Sequence, residues 1–186
     1  MTTEHRNDRR VRRTRQRLHS ALISLILEND YDRITVQDLI DRADVGRSTF
    51  YAHYETKDDL LVSGMDHLTD DIERHMAEDP SAADMILPGL GIFKHVAENH
   101  TLFRALLGSR GIDIVHRAAV EAFTEHAMAA IERRAAAGEQ TNIPVDARAA
   151  FAAGALMAFI GWWLDNDMPY APEVMDDLYR QMTANA

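Results

Sequence analysis

An all-α fold is predicted for this chain: an N-terminal three-helix unit containing a helix-turn-helix, followed by a helical bundle. Three observations carry that reading. Apolar residues recur at the i, i+3, i+4, i+7 spacing of amphipathic helices along most of the 186 residues. No stretch of useful length alternates apolar and polar residues as a half-buried strand would. Turn-forming clusters at Glu78-Asp79-Pro80-Ser81, Gly108-Ser109-Arg110-Gly111, Gly138 to Asn142 and Asp165 to Pro172 separate the periodic segments, and no fixed repeat runs along the chain. The expected division is one unit over residues 8–56 and a second over 57–186.

Arg6, Arg9, Arg10, Arg12, Arg13, Arg15 and Arg17 crowd the start, opposed only by Glu4 and Asp8, so a basic arm leads into the first helix. From Thr14 onward Leu18, Ala21, Leu22, Leu25 and Ile26 form one apolar stripe. Thr35 is placed to cap the next helix, with the Asp38 carboxylate near its positive end and Val36, Leu39, Ile40 and Ala43 on its inner face. Asp44-Val45-Gly46 breaks that pattern, Gly46 being expected to supply backbone freedom. Val45, Phe50 and Tyr54 are then expected to pack back against the preceding helix.

Thr56 caps a further helix with Asp58 and Asp59 in its first turn, continued by Leu60, Leu61, Met65, Leu68, Ile72 and Met76. Pro144 and Pro172 stand where helices start. The penultimate helix carries Phe151, Gly154, Ala155, Ala158, Phe159, Gly161 and Trp162, in which small residues admit a close neighbour and aromatics bury large areas. With the last helix, Glu173 through Leu178 to Met182, this face is expected to form half of a four-helix interface between two copies about a two-fold axis. The alternative is that it packs within its own bundle.

The second helix of the helix-turn-helix pair exposes Arg47, Ser48, Thr49, Tyr51 and His53 near its start. An α-helix fits the roughly 12 Å wide major groove of B-DNA. There Arg47 can bridge O6 and N7 of a guanine, Thr49 can offer a methyl or a hydroxyl to a base edge, and His53 can reach a base or a phosphate. Tyr51 and Lys57 suit phosphates, and the arginine arm suits the backbone or the minor groove. Plainer readings are a helical hairpin with a solvated polar face, and a disordered tail or targeting segment for the arginines.

The pattern Thr35-Val36-x-Asp38-Leu39-Ile40, then Val45-Gly46-Arg47-Ser48-Thr49-Phe50-Tyr51-x-His53-Tyr54-x-x-Lys57-x-x-Leu60-Leu61, resembles the N-terminal domain of the TetR (tetracycline repressor-like) family over residues 10 to 62. The resemblance implies a homodimeric, cytoplasmic transcriptional regulator, usually a repressor, that binds a pseudo-palindromic operator and can be released by a small-molecule effector. It further implies phosphate contacts at Thr35, Tyr51 and Lys57, and base or nearby backbone contacts at Gln37, Arg47, Ser48, Thr49 and His53. Two positions depart from the family's habit: Asp44 stands where small residues are common, and an acid there disfavours a nearby phosphate; Tyr54 replaces a frequent Phe. Gly161-Trp162-Trp163-Leu164 and Met168-Pro169-Tyr170 resemble the end of one C-terminal subgroup.

The formal net charge is −10, yet residues 1–60 hold eleven basic and eleven acidic side chains against nine and nineteen in 61–186, which puts an anionic partner at the N-terminal end. The chain contains no cysteine, so disulfides and thiolate ligation are excluded. The most apolar run, Ala149 to Leu164, falls short of the roughly 20 residues of a membrane span, and no membrane crossing or secretory signal is expected. An effector cavity is expected among Met65, Leu68, Phe93, Val96, Phe103, Leu106, Val120, Phe123 and Met128, with His95, His100, His116 and His126 as polar anchors. The rival classes are a helical enzyme and a scaffold that binds only protein. Asp71 with His75, and Glu121 with Glu125, share helical faces but match no metal-hydrolase pattern, and Gly108-Ser109-Arg110-Gly111 matches no nucleophile elbow. No catalytic residue, cofactor or metal is expected.

Overall fold

The computed structural model describes residues 2–64, 85–139 and 142–183, with side chains from residue 9 onward. Among these, regular structure is entirely helical. The helices are α1 (Thr2–Glu28), α2 (Val36–Ala43), α3 (Arg47–Tyr51), α4 (Lys57–Ser63), α5 (Leu90–Glu98), α6 (His100–Leu106), α7 (Arg110–Ala136), α8 (Val145–Asp165) and α9 (Pro172–Thr183), with a 3₁₀ turn at Tyr31–Arg33. The predicted continuation through Met65, Leu68, Ile72 and Met76, and the break at 78–81, lie outside the described residues. The chain divides into two compact units, residues 1–66 with 101–115, and 67–100 with 116–186.

In the first unit, called the head below, Leu18, Leu22, Leu39, Phe50 and Leu60 are essentially fully buried. Each such side chain contributes about 1.5–3 kcal/mol relative to exposure. Leu106 joins this core, with Leu102, Ala105, Ile112, Ile114 and Val115 packed at its margin. The arginine-rich arm is helical from Thr2 rather than an extension ahead of a helix starting near Thr14. Arg is a good helix former, and the packed stretch Leu18 to Ile26 supplies the nucleus from which the helix propagates outward.

Both predicted caps form. The Thr35 hydroxyl accepts from the Asp38 N–H while the Asp38 carboxylate accepts from the Thr35 N–H, and Thr56 and Asp59 repeat the arrangement at α4. Between α2 and α3 the expectation for Gly46 is corrected. Gly46 is ordinary extended backbone at φ −71°, and the left-handed residue is Asp44, at φ 49°. The first residue past a helix is where the left-handed turn satisfies the last carbonyls, and the Asp44 N–H accordingly donates toward Ile40 and Asp41.

In the second unit α5 packs against α9, and Phe93 sits edge-on to Phe159, Trp163 and Tyr179 at centroid distances of 5.7 to 6.3 Å. The Trp163 indole N–H donates to the Tyr170 carbonyl at 3.0 Å, tying the end of α8 to the turn before α9. That turn holds Asp167 and Met168 in the left-handed region, and Pro172 opens α9 as predicted, whereas Pro144 caps α8 from one residue outside it. At 21 residues α8 is long and apolar enough to cross a bilayer by composition alone. Its residues Ala149, Ala152, Ala153, Leu156, Ile160, Trp163 and Leu164 are nevertheless buried in the fold.

Candidate nucleic-acid interface

α3 is a short helix fixed from behind. Phe50 is fully buried and Tyr54 nearly so, their rings 6.0 Å apart, while Val45 packs on the same core. On the other side Arg47, Ser48 and Tyr51 are exposed, and Thr49 and His53 are half-buried. The Arg47 guanidinium lies 5.6 Å from the Tyr51 ring centre, and Tyr51 stands edge-on to Phe50 at 5.4 Å. This i,i+4 contact braces Arg47 outward, so less side-chain freedom is lost when it meets a ligand. Gly46, next to Arg47, adds no side chain to crowd the approach.

At the start of α2 the Thr35 hydroxyl donates to Asp38 Oδ2 at 2.6 Å, and this bond, with that from the Thr35 N–H, holds the Asp38 carboxyl below the usual range. Gln37 donates to Asp41 Oδ1 at 2.8 Å. Both Thr35 and Gln37 are exposed beside α3, yet each enters any new contact by exchanging an internal one.

Lys57 departs from its sequence expectation. Its Nζ donates to the Tyr31 and Ile34 carbonyls at 2.6 and 2.7 Å and lies 4.4 Å from the Tyr31 ring centre. Partial burial holds its pKa below the ordinary value despite nearby Asp58 and Asp32. The ammonium therefore satisfies the Ile34 carbonyl and shares the Tyr31 carbonyl with the Ile34 N–H in the turn after α1, and it faces inward rather than toward a phosphate.

Tyr31 also donates its hydroxyl to Asp58 Oδ1 at 2.5 Å, and burial and that carboxylate push the phenol pKa well up. Asp58 Oδ2 accepts from Arg110 at 2.9 Å, and the Arg110 backbone N–H donates to Asp32 at 3.3 Å. Gly111 completes the join, because a Cβ there would lie 2.6 Å from Leu106 and 3.0 Å from the Tyr31 ring. Sequence reasoning missed this cluster. Its partners are up to 78 residues apart, and the one local signal was a small residue at the start of α7.

The other predicted sets are distributed as follows. Met65 and Leu68 lie outside the described residues. Leu106 is corrected from cavity lining to core of the head, since its side chain fills the space beside Gly111 and Tyr31. Phe93, Val96 and Phe123 are buried, while Phe103, Val120 and Met128 are half-buried. A groove of about 580 Å³ between the end of α7 and the start of α8 is lined by Ile131, Glu139, Ile143, Val145 and Arg148, with none of the predicted residues. On α8, Phe151, Gly154, Ala158 and Trp162 are exposed, Ala155 and Phe159 are half-buried, and Trp162 stacks between Phe159 and Tyr170.

An all-helical chain whose head holds a short, outward-facing helix behind a tight turn, beside an arginine-rich helix, belongs to the helix-turn-helix class of DNA-binding regulators. Residues 18–63 match the family described as bacterial regulatory proteins, tetR family, and residues 90–185, about half of the chain, match a transcriptional regulator C-terminal region of that family. The chain belongs to the TetR family of transcriptional regulators. Over 74 residues it is 36 % identical to an HTH-type transcriptional regulator of Bacillus subtilis, YxbF, a match that spans 39 % of this chain and 20 % of that protein. A TetR transcriptional regulator from Streptococcus agalactiae is similar over 97 % of this chain and 98 % of its own, at 27 % identity and a TM-score of 0.63. RolR in complex with resorcinol shares the fold at 17 % identity and a TM-score of 0.60, over 94 % of this chain and 89 % of its own.

Proposed function

We propose that this protein is a cytoplasmic repressor that binds a pseudo-palindromic operator as a homodimer, each copy placing α3 in one of two successive major grooves about 34 to 36 Å apart. The observation that carries this reading is the outward set Arg47, Ser48 and Tyr51 on a helix anchored from behind by Phe50 and Tyr54. Thr49 and His53 complete the base-facing group, and Thr35 and Gln37 flank it. Residues 8–56 form the DNA-binding part in this reading, and 57–186 the regulatory and dimerising part.

The dimer contact is assigned to the α8 face that exposes Phe151, Gly154, Ala158 and Trp162 with half-buried Ala155 and Phe159 among them, extended by Val174 and Met182 of α9. Phe151 is 61 % exposed in the single chain, which a second copy would cover. An aromatic effector such as the resorcinol held by RolR supports a ligand-controlled form. A ligand that prefers an arrangement unable to bridge both half-sites shifts the population off the operator.

Selection of bound duplexes from a random pool at stated salt is the direct test. Recovery of an inverted repeat with half-sites one helical turn apart is expected. Failure of the intact protein to retain any duplex would refute the reading, and retention that survives loss of every α3 side chain would reassign the contact.

A further inference from the structure

Arg10, Arg13 and Arg17 follow one another at i, i+3 and i+7 along α1, all exposed, so they line one side of that helix over about 10 Å. The stripe runs into a groove of about 520 Å³ between α1 and the end of α2, lined by Arg13, Gln16, Arg17, Ser20, Ser24 and Arg42. Three guanidinium groups, two hydroxyls and a carboxamide suit an oxyanion.

The three arginines are not equivalent. Arg42 is held by Glu28 through two bonds of 2.6 and 2.9 Å and also donates to Ser24, so it forms a fixed wall. Arg17 meets a single carboxylate oxygen, Asp44 Oδ2, at 2.9 Å, with the Asp44 side chain 95 % exposed. No carboxylate among the described residues pairs with Arg13. Asp44 occupies the left-handed position of the turn, three residues before Arg47, so its carboxylate stands where the flank of a duplex engaged by α3 would arrive. An exposed, single-bonded ion pair of this kind exchanges readily.

Resting on the DNA-binding reading above, we propose that this groove is a phosphate-backbone site for duplex DNA, and that Asp44, which pairs with Arg17 from outside the groove, is displaced when a DNA phosphate takes Arg17. Engagement at Arg17 displaces a cation from the phosphate but frees the Asp44 carboxylate, which draws a cation in its place, so net release there is small, whereas engagement at Arg13 releases the phosphate's cation outright. Asp44 therefore lowers the grip on every sequence alike and leaves base preference to α3.

The test compares the full-length protein with Asp44→Asn, Arg17→Gln and the double variant, by fluorescence anisotropy on a selected operator and a random duplex of equal length, from about 50 to 200 mM salt. Asn tolerates the left-handed turn, and the helical circular dichroism of each variant checks folding. Asp44→Asn is expected to tighten both duplexes about three- to tenfold at the lower salt and to steepen the log–log salt slope by about 0.9. On the Arg17→Gln background that change of slope disappears. An unchanged slope, or the same gain without Arg17, overturns the proposal and leaves DNA binding standing. Absence of any duplex binding by the wild type brings down the underlying reading as well. Replacing chloride with inorganic phosphate at equal ionic strength leaves the Asp44→Asn gain in place if the duplex backbone is the occupant. Protection of Arg17 by inorganic phosphate in Asp44→Asn, with no gain on either duplex in chloride, would assign the groove to free phosphate and overturn its assignment to DNA.

Discussion

Gly111→Ala probes the packing of the first turn of α7 within the head. The new methyl would lie 2.6 Å from Leu106 Cδ2 and 3.0 Å from two carbons of the Tyr31 ring, where ordinary contact begins near 3.4 Å. Neither neighbour is free to give way. Leu106 is 1 % exposed, and the Tyr31 ring is held by its bond to Asp58 and by Lys57 against its face. Overpacking of this type costs about 1–3 kcal/mol. Replacing a helical glycine by alanine returns up to about 1 kcal/mol, and less in a first turn. A net loss of about 1–2 kcal/mol is expected, which corresponds to roughly 5–30-fold faster native-state hydrogen exchange at the most protected amides of α1 and α2. Leu106→Ala alone should cost about 2–5 kcal/mol through the hole it leaves. In the double variant the added methyl sits in that hole, so the combined loss should fall short of the sum by about 1 kcal/mol or more. Unchanged or slower exchange in Gly111→Ala would refute the packing argument.

Four further outcomes are expected. Lys57→Met keeps the apolar stem but strands the Ile34 carbonyl and leaves that of Tyr31 with the Ile34 N–H alone; thermal unfolding should report a loss of about 1–3 kcal/mol, with the salt slope of DNA binding unchanged, whereas a slope smaller by about 0.9 would restore Lys57 to the phosphate contacts. Arg47→Ala should cost about 1–3 kcal/mol on the selected operator and relax the preference at one base pair, and equal loss on all duplexes would assign it to the backbone. Ala158→Glu, exposed in the single chain, should change protomer stability by no more than about 0.5 kcal/mol but shift sedimentation from dimer to monomer. The phenols of Tyr31 and Tyr179 are raised above 10, Tyr179 to about 12, so the stability they contribute is complete below pH 10 and lost as pH climbs past it; Lys57, lowered, acts in the opposite sense. Unfolding measured from pH 8 to pH 12 should show that loss flattened in Tyr31→Phe and Tyr179→Phe.

Features set by neighbours in the chain were readable in advance. Thr35 with Asp38 and Thr56 with Asp59 are three residues apart, and the inner faces of α1 and α2 follow the helical period, so caps and core could be assigned from spacing. Arg47, Ser48 and Tyr51 were legible as an outward group because Phe50 and Tyr54 fix which way the helix faces. The exchange of roles between Gly46 and Asp44 was not, since aspartate tolerates the left-handed region and two neighbouring residues competed for it. Arg17 with Asp44, 27 positions apart, and Arg110 with Asp58, 52 apart, carry no local signature at all. The inward turn of Lys57 was hidden for a related reason: its acceptors are carbonyls, which every residue possesses and no pattern distinguishes.

The adjacent pair Trp162 and Trp163 points to opposite environments, one 43 % exposed and stacked on Tyr170, the other 1 % exposed against Phe93. The protein thus carries two emitters on neighbouring residues, one open to a soluble quencher such as iodide and one shielded from it. Loss of the quenchable fraction on raising the protein concentration would register self-association without any attached dye, with the inner indole as an internal reference.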